Sequence, residues 1–304
     1  MTRRPILLMV NPHSGGKPGS GPSLHHDRER LRPDAIRSAL VERGVEATLH
    51  ELGPEDDAGE LALAAGGEGR DVVVAGGDGT VSAVATALVG HPDAALGILA
   101  MGSFNNMARG LGIPVTLDAA LDVIGAGATS QVDAGWVVRD GDGTPFFEAA
   151  GVGVDAIGFL AAELAERRGW WRAGRALVRG LRLRRTPMRI TLDGVAYRTG
   201  SPAVTVSNGP YHGAGFALSA DADPTDGVLD VAVFHGMSRF EVIRHFVAVA
   251  RRTERREPRI GRYRARRVTI EGTRRSLPAH ADGVSIGATP VTFEVRPGAL
   301  RVFR

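Results

Sequence analysis

Cysteine is absent from all 304 residues, which excludes disulfides, thiolate nucleophiles and cysteine-held metals and suits a reducing compartment. Lysine is almost absent: Lys17 is the only one, so arginine carries nearly all of the basic charge. The three tyrosines are scattered, and no recognition motif accompanies the arginine-rich stretches, so nucleic acid is not expected as a partner. No apolar run approaches the roughly 20 residues that a membrane-crossing helix needs. The charged start, Met-Thr-Arg-Arg, leads into a short apolar run without a cleavage site, and it reads as the first strand rather than a signal peptide. The 43% hydrophobic and 23% charged residues are ordinary for a soluble globular protein, and the length allows two domains.

The most informative stretch is Val72-Val73-Val74-Ala75-Gly76-Gly77-Asp78-Gly79-Thr80, followed by an apolar-periodic segment over 81–89. It reads as a buried parallel strand, a tight glycine turn and a helix start. Unpaired N–H groups and a partial positive charge at such a start bind polyphosphate. Asp78 would repel that anion unless it faces a hydroxyl or a bound Mg²⁺; its plainer role is to cap the helix.

Two more strand ends carry polar turns. Residues 6–10 run into Asn11-Pro12-His13-Ser14-Gly15-Gly16, and 95–100 run into Gly102-Ser103-Phe104-Asn105-Asn106. In a parallel sheet these three ends share one rim, where ligands of such sheets bind. Capping alone would also account for Asn105 and Asn106. Between them a loop is expected at 17–29, a helix at 33–42 closed by Gly44, a strand at 45–52 and a helix at 55–65, giving a parallel sheet with helices on both faces.

From about Asp133 helical patterns give way to short strands at 136–138, 146–149, 190–192, 203–207 and 228–234, so the second domain is expected to be mainly antiparallel. Asp140-Gly141-Asp142-Gly143-Thr144 reads as a hairpin turn. Residues 156–185 interleave arginines with apolar residues around Trp170 and Trp171, as either an interfacial membrane element or a solvated basic face over packed residues. A second helix at 239–252 leads into more arginines. The acidic turn at 221–230 offers oxygen donors for a hard cation or needs no ion at all. Asp282-Gly283 forms a turn in a strand-like region, and strands at 291–295 and 300–303 flank a turn at Pro297-Gly298.

Taken in order, Asn11-Pro-His-Ser-Gly, Gly76-Gly-Asp-Gly-Thr80, Gly102-Ser-Phe-Asn-Asn106 and the late Asp282-Gly283 resemble the diacylglycerol kinase catalytic-domain superfamily, which includes bacterial lipid kinases and the sphingosine and ceramide kinases. The resemblance covers essentially the whole chain. It implies an α/β nucleotide-binding domain over 1–133, with a parallel sheet like that of NAD kinases and phosphofructokinases. A mainly antiparallel β-sandwich lipid-substrate domain would follow over 134–297, bearing the basic insertion at about 156–185. The last strand, about 298–304, would return to the first domain.

By the same resemblance Asn11, Ser14, Gly76, Gly77, Gly79, Thr80, Ser103 and Asn105 would line ATP. Asp78, with Asp133, would organise catalytic Mg²⁺, and Asp282 would be the general base on the lipid hydroxyl. A structural Mg²⁺ would take the Asp226 carboxylate and the carbonyls of Asp223 and Val228. The implied activity is ATP- and Mg²⁺-dependent transfer to a diacylglycerol-like or sphingoid lipid, in a cytoplasmic protein held peripherally on the anionic inner face of the membrane. The oligomeric state is left open, a homodimer included. The lipid tail would meet Phe159, Leu160 and residues 209–216. Two positions depart from the family pattern: Val284 follows the late Asp-Gly where many members are acidic, and Asn106 stands where many have aspartate. The alternatives are a catalytically impaired nucleotide- or lipid-binding regulator of the same fold, and an NAD kinase, against which the early Asn-Pro-x-Ser-Gly turn and the late Asp-Gly both speak.

Overall fold

The computed structural model describes residues 4–14, 31–138, 143–154, 186–212, 215, 217, 219–250, 253 and 257–304. The loop at 17–29, Asp140 to Asp142, the basic insertion at 156–185 with Phe159 and Leu160, Gly213, Ala214, Phe216 and the arginines at 251–252 and 255–256 lie outside the described residues. Backbone contacts divide the chain into two compact units, Met1–Asp133 with Gly298–Arg304, and Ala134–Pro297.

The first unit alternates strand and helix: β1 (Ile6–Val10), α1 (Pro33–Glu42), β2 (Ala47–Glu51), α2 (Ala58–Gly67), β3 (Asp71–Gly76), α3 (Asp78–Leu88), β4 (Ala95–Ala100), the short α4 (Asn106–Gly110), α5 (Leu117–Ala126) and β5 (Thr129–Val138). The sheet is parallel in the order β2-β1-β3-β4. Every residue of β1, β3 and β4 is buried, as strands covered on both faces require. Leu8, Val73, Ala75 and Leu99 pack with Ile36 and Leu40 of α1 and Leu121 and Ile124 of α5. Helix α1 begins with Pro33 at its first position, which needs no N–H there, and Gly44 follows it at φ +73°. Asp57 caps α2 by accepting the N–H groups of Gly59 and Glu60.

The second unit is an antiparallel sandwich. Its strands are β6 (Thr144–Phe146), β7 (Ala149–Gly153), β8 (Thr186–Leu192), β9 (Val195–Ser201), β10 (Ala203–Ser207), β11 (Leu229–Phe234), then helix α6 (Arg239–Ala250), β12 (Ile260–Ala265), β13 (Arg267–Gly272), β14 (Pro278–Ala281), β15 (Val284–Ala288) and β16 (Val291–Phe303). One sheet runs β12-β11-β10-β7-β14-β15, and the facing layer contains β16-β13-β8-β9. Val204, Val206 and Val231 of the first layer meet Met188, Val268, Ile270 and Phe293 of the second. Phe146 sits edge-on to Phe293, with centroids 6.0 Å apart. The opposite face of the first layer carries α6, whose Val242, Ile243 and Phe246 pack on Ala203, Phe234 and Ile260.

Three expected boundaries need correction. Residues 146–149 are not one strand: they straddle the break between β6 and β7, where the amides of residues 147–149 turn to the carboxylate of Asp282. The strand at 136–138 begins earlier, at Thr129. Pro297-Gly298 is no turn, because β16 runs through it: Gly298 takes φ +60° and donates its N–H to Asp133, and the chain stays extended. Residues Arg301 and Val302 then pair in parallel with Ala95 and Leu96 of β4.

Candidate functional site

In the first unit the ends of β1, β3 and β4 meet at the start of α3. Gly77 is extended at φ −87° and ψ 176°, and no side chain caps α3. The N–H groups of its first turn, at Asp78, Gly79 and Thr80, therefore have no intrahelical acceptor. Two residues of the β1 turn fix this start. Asn11 donates from Nδ2 to Thr80 Oγ1 at 2.9 Å, and Ser14 Oγ accepts the N–H of Gly77 at 3.1 Å.

The turn after β4 lies against it. A Cβ on Gly102 would stand 2.8 Å from the Gly77 Cα, and one on Gly76 2.9 Å from the Thr80 Cβ. Glycine is required at both positions because backbone approaches backbone or a stiff β-branched side chain. Asn105, left-handed at φ +52°, folds its side chain onto Gly102, accepting the N–H at 2.8 Å and donating to the carbonyl at 3.0 Å. Asp78 joins the two turns: its carboxylate accepts the N–H groups of Asn105 at 2.9 Å and Asn106 at 2.7 Å. The structure thus brings Asn11, Ser14, Gly76, Gly77, Asp78, Thr80 and Asn105 together, with Gly79 and Ser103 exposed beside them.

Asp78 is the carboxylate of this cluster on which a Mg²⁺ would rely. Each of its oxygens accepts one N–H and retains a further lone pair. A hard oxygen donor beside a helix start with uncapped amides fits Mg²⁺, which commonly takes one or two carboxylates and completes its shell with phosphates and water. Asp133 is buried in β5, and its Oδ1 accepts the Gly298 N–H at 2.8 Å. Among the described residues no three acidic, histidine or cysteine side chains gather as a metal centre.

A cleft of about 460 Å³ opens beside Asn11, Gly79 and Thr80, and is completed by His13, Ala83 and residues 52–54 and 56–58. Asp56 accepts the Gly53 N–H at 2.8 Å and pairs with His50 at 2.9 Å; those bonds hold its carboxyl below its ordinary range. The sequence reading missed this wall. β2 lies parallel beside β1, so Leu52-Gly53-Pro54 is a fourth strand end on the same rim, with Asp56 and Asp57 beyond it supplying the polar groups, a neighbour that residue type alone does not reveal.

In the second unit Asp282 and Gly283 are the two turn residues between β14 and β15, at φ +44° and +79°. Two positive φ values mark the tight hairpin turn for which Asp-Gly is preferred. The Asp282 carboxylate accepts three backbone N–H groups, from Phe147 at 2.7 Å and from Glu148 and Ala149 at 3.0 Å each. Burial pushes its pKa up to about 6, against the lowering effect of those three bonds and of nearby His280. Asn208 steadies the same segment, donating its side-chain N–H to the Phe147 carbonyl at 3.2 Å and its backbone N–H to the Glu148 carbonyl at 3.0 Å. Neither the amide cradle nor Asn208 was foreseen, since backbone donors leave no trace in residue type. Val284, one residue past the turn, is 63% exposed.

The acidic turn brings Asp223, Asp226 and Val228 together, but its carboxylates already have protein partners. Asp223 accepts the N–H and hydroxyl of Thr225, and Asp226 accepts the Val228 N–H and forms an ion pair with Arg264. The cation on Asp226 in this structure is a guanidinium.

The diacylglycerol kinase catalytic domain model matches residues 5–137, and the YegS C-terminal NAD kinase beta sandwich-like domain model matches 149–304. The diacylglycerol kinase of Mycobacterium tuberculosis is 31% identical over 98% of this chain and 94% of its own. The "Probable lipid kinase YegS-like" protein of Pseudomonas syringae is 29% identical over 91% of this chain and 90% of its own. Among solved structures, a diacylglycerol kinase from Bacillus anthracis superposes with a TM-score of 0.71 at 21% identity, covering 99% of this chain and 96% of that one. An NAD kinase from Archaeoglobus fulgidus shares the fold more distantly, with a TM-score of 0.51 at 15% identity over 98% of this chain and 93% of its own. With matched domains that follow one another along almost the whole chain, and with the glycine turns, Asp78 and the Asp282 hairpin in place, the chain belongs to the diacylglycerol kinase family of lipid kinases.

Proposed function

We propose that the protein transfers the γ-phosphoryl group of ATP, with Mg²⁺, to a hydroxyl of a diacylglycerol-like or sphingoid lipid. The observation that carries this reading is the junction at the start of α3, where Asp78 ties the Gly77 and Asn105 turns together beside unpaired amides. Phosphoryl transfer is mainly positioning and charge neutralisation, and that junction supplies both. The amides of Gly79 and Thr80 would receive phosphate oxygens. Asn11 and Ser14 keep the turn rigid, and Asp78 would hold Mg²⁺, which neutralises phosphate charge when bound.

Asp282 is assigned as the base. As the lipid oxygen bonds to the γ-phosphorus and the bond to the departing ADP breaks, its hydroxyl proton would pass to Asp282 Oδ2, which accepts only one backbone N–H. A positioned base contributes about 10²–10⁴-fold. A structural Mg²⁺ at the acidic turn would have to displace Arg264 from Asp226. The protein would work in the cytoplasm, peripherally on an anionic membrane.

A second reading is favoured by one observation: Asp282 is engaged by three amides while Val284, after the Asp-Gly turn, contributes no carboxylate. On that reading the fold binds nucleotide and lipid but transfers slowly. Replacing Asp282 with Asn should abolish transfer while ATP binding, followed by calorimetry, is retained; an unchanged rate removes Asp282 from the base role. Val284→Glu separates the readings, because a large gain in rate points to an impaired parent and an unaltered rate to a competent one.

A further inference from the structure

Helix α6 buries one face and leaves another without a protein partner among the described residues. Val242, Ile243 and Phe246 pack on the sandwich, whereas Phe240, Arg244 and Val247 all face solvent, Phe240 at 60% exposure and Val247 at 42%. Spacings of four and then three residues put these three on one stripe. The Arg239 guanidinium lies over the Phe240 ring, 4.7 Å from its centroid, so the exposed ring already carries one cation on its face. Arg244 makes no ion pair among the described residues. Over 239–259 the sequence holds seven arginines and three glutamates. Two of those glutamates, Glu241 and Glu257, are both spent on Arg259, at 2.8 and 2.9 Å. What remains is a strongly basic stretch beginning at a helix that presents one large aromatic and one β-branched side chain.

We propose that the Phe240, Arg244 and Val247 face of α6 docks on an anionic lipid bilayer. A helix whose polar side is arginine and whose exposed side carries an aromatic ring lies in the interface plane, with the ring among acyl chains and the guanidinium groups on lipid phosphates. Each cation near such a surface strengthens binding about five-fold. No described helix is long and apolar enough to cross a membrane. Such a face would give the protein access to a lipid acceptor. In that respect alone the inference rests on the proposed function.

The test uses the full chain and vesicles of phosphatidylcholine with and without phosphatidylglycerol, in co-sedimentation without ATP. The wild type should bind the anionic vesicles far more tightly than the neutral ones. The double variant Phe240→Ser with Arg244→Glu should lose at least about tenfold in that affinity, with an unaltered thermal midpoint because both side chains are exposed. Transfer to acceptor dispersed in detergent micelles should remain at the wild-type rate. Undiminished vesicle binding by the variant overturns the assignment, as does a wild-type dimer that the variant converts to monomer while still binding vesicles. If both proteins bind as expected but neither phosphorylates micellar lipid, the fault lies in the proposed reaction and the docking face stands.

Discussion

At Asp282 burial and hydrogen bonding act in opposite directions on one proton. Burial favours the neutral acid and three amides favour the carboxylate, and burial prevails, raising the pKa from 3.8 to about 6. A base must be deprotonated to act, so transfer should climb on the acid side with a midpoint near pH 6 and level off above it. A rate that is flat from pH 5 to 7 would detach catalysis from Asp282. The same shift affects folding: a folded-state pKa above the unfolded value means that the group's stabilisation is full below pH 3.8 and is lost as pH rises through about 6. Residue type alone could flag Asp282 as part of an Asp-Gly turn. It could not reveal the cradle, because Phe147, Glu148 and Ala149 contribute only backbone.

At the scale of elements, the strands that residue pattern specifies best are those buried on both faces. Val72, Val73 and Val74 can be read as a parallel strand because apolar β-branched residues have nowhere else to go, and the glycines beyond them end it. Edges were harder. Pro297-Gly298 carries the composition of a turn, yet Pro297 needs no donor there and the Gly298 N–H is taken by Asp133, so β16 continues. The short α4 depends on a partner from another element: its first N–H groups are received by Asp78 across the gap from α3. Asp78→Ala would strand both donors, and urea unfolding should show a loss of about 1–3 kcal/mol. A loss within error would mean that Asp78 is held in reserve for a ligand rather than used to join the turns.

At the scale of the whole molecule, the alternation of strand and helix before Asp133 and the run of short strands after it already distinguish an α/β unit from an antiparallel sandwich. Each unit proves to have its own core. The polar rim of the first unit was legible as three glycine- or amide-bearing strand ends, whereas the wall formed by residues 52–58 was not, since it depends on β2 lying beside β1. Apolar lining specifies chain burial better than head-group identity, so the acceptor must be found by experiment. The most direct measurement is transfer of label from γ-labelled ATP, with Mg²⁺ and with chelator, to a panel of diacylglycerol, monoacylglycerol, sphingosine, ceramide and phosphatidylglycerol, with NAD alongside. The account predicts a labelled lipid that appears only with Mg²⁺. Label on NAD, or label on lipid that persists in chelator, would contradict it.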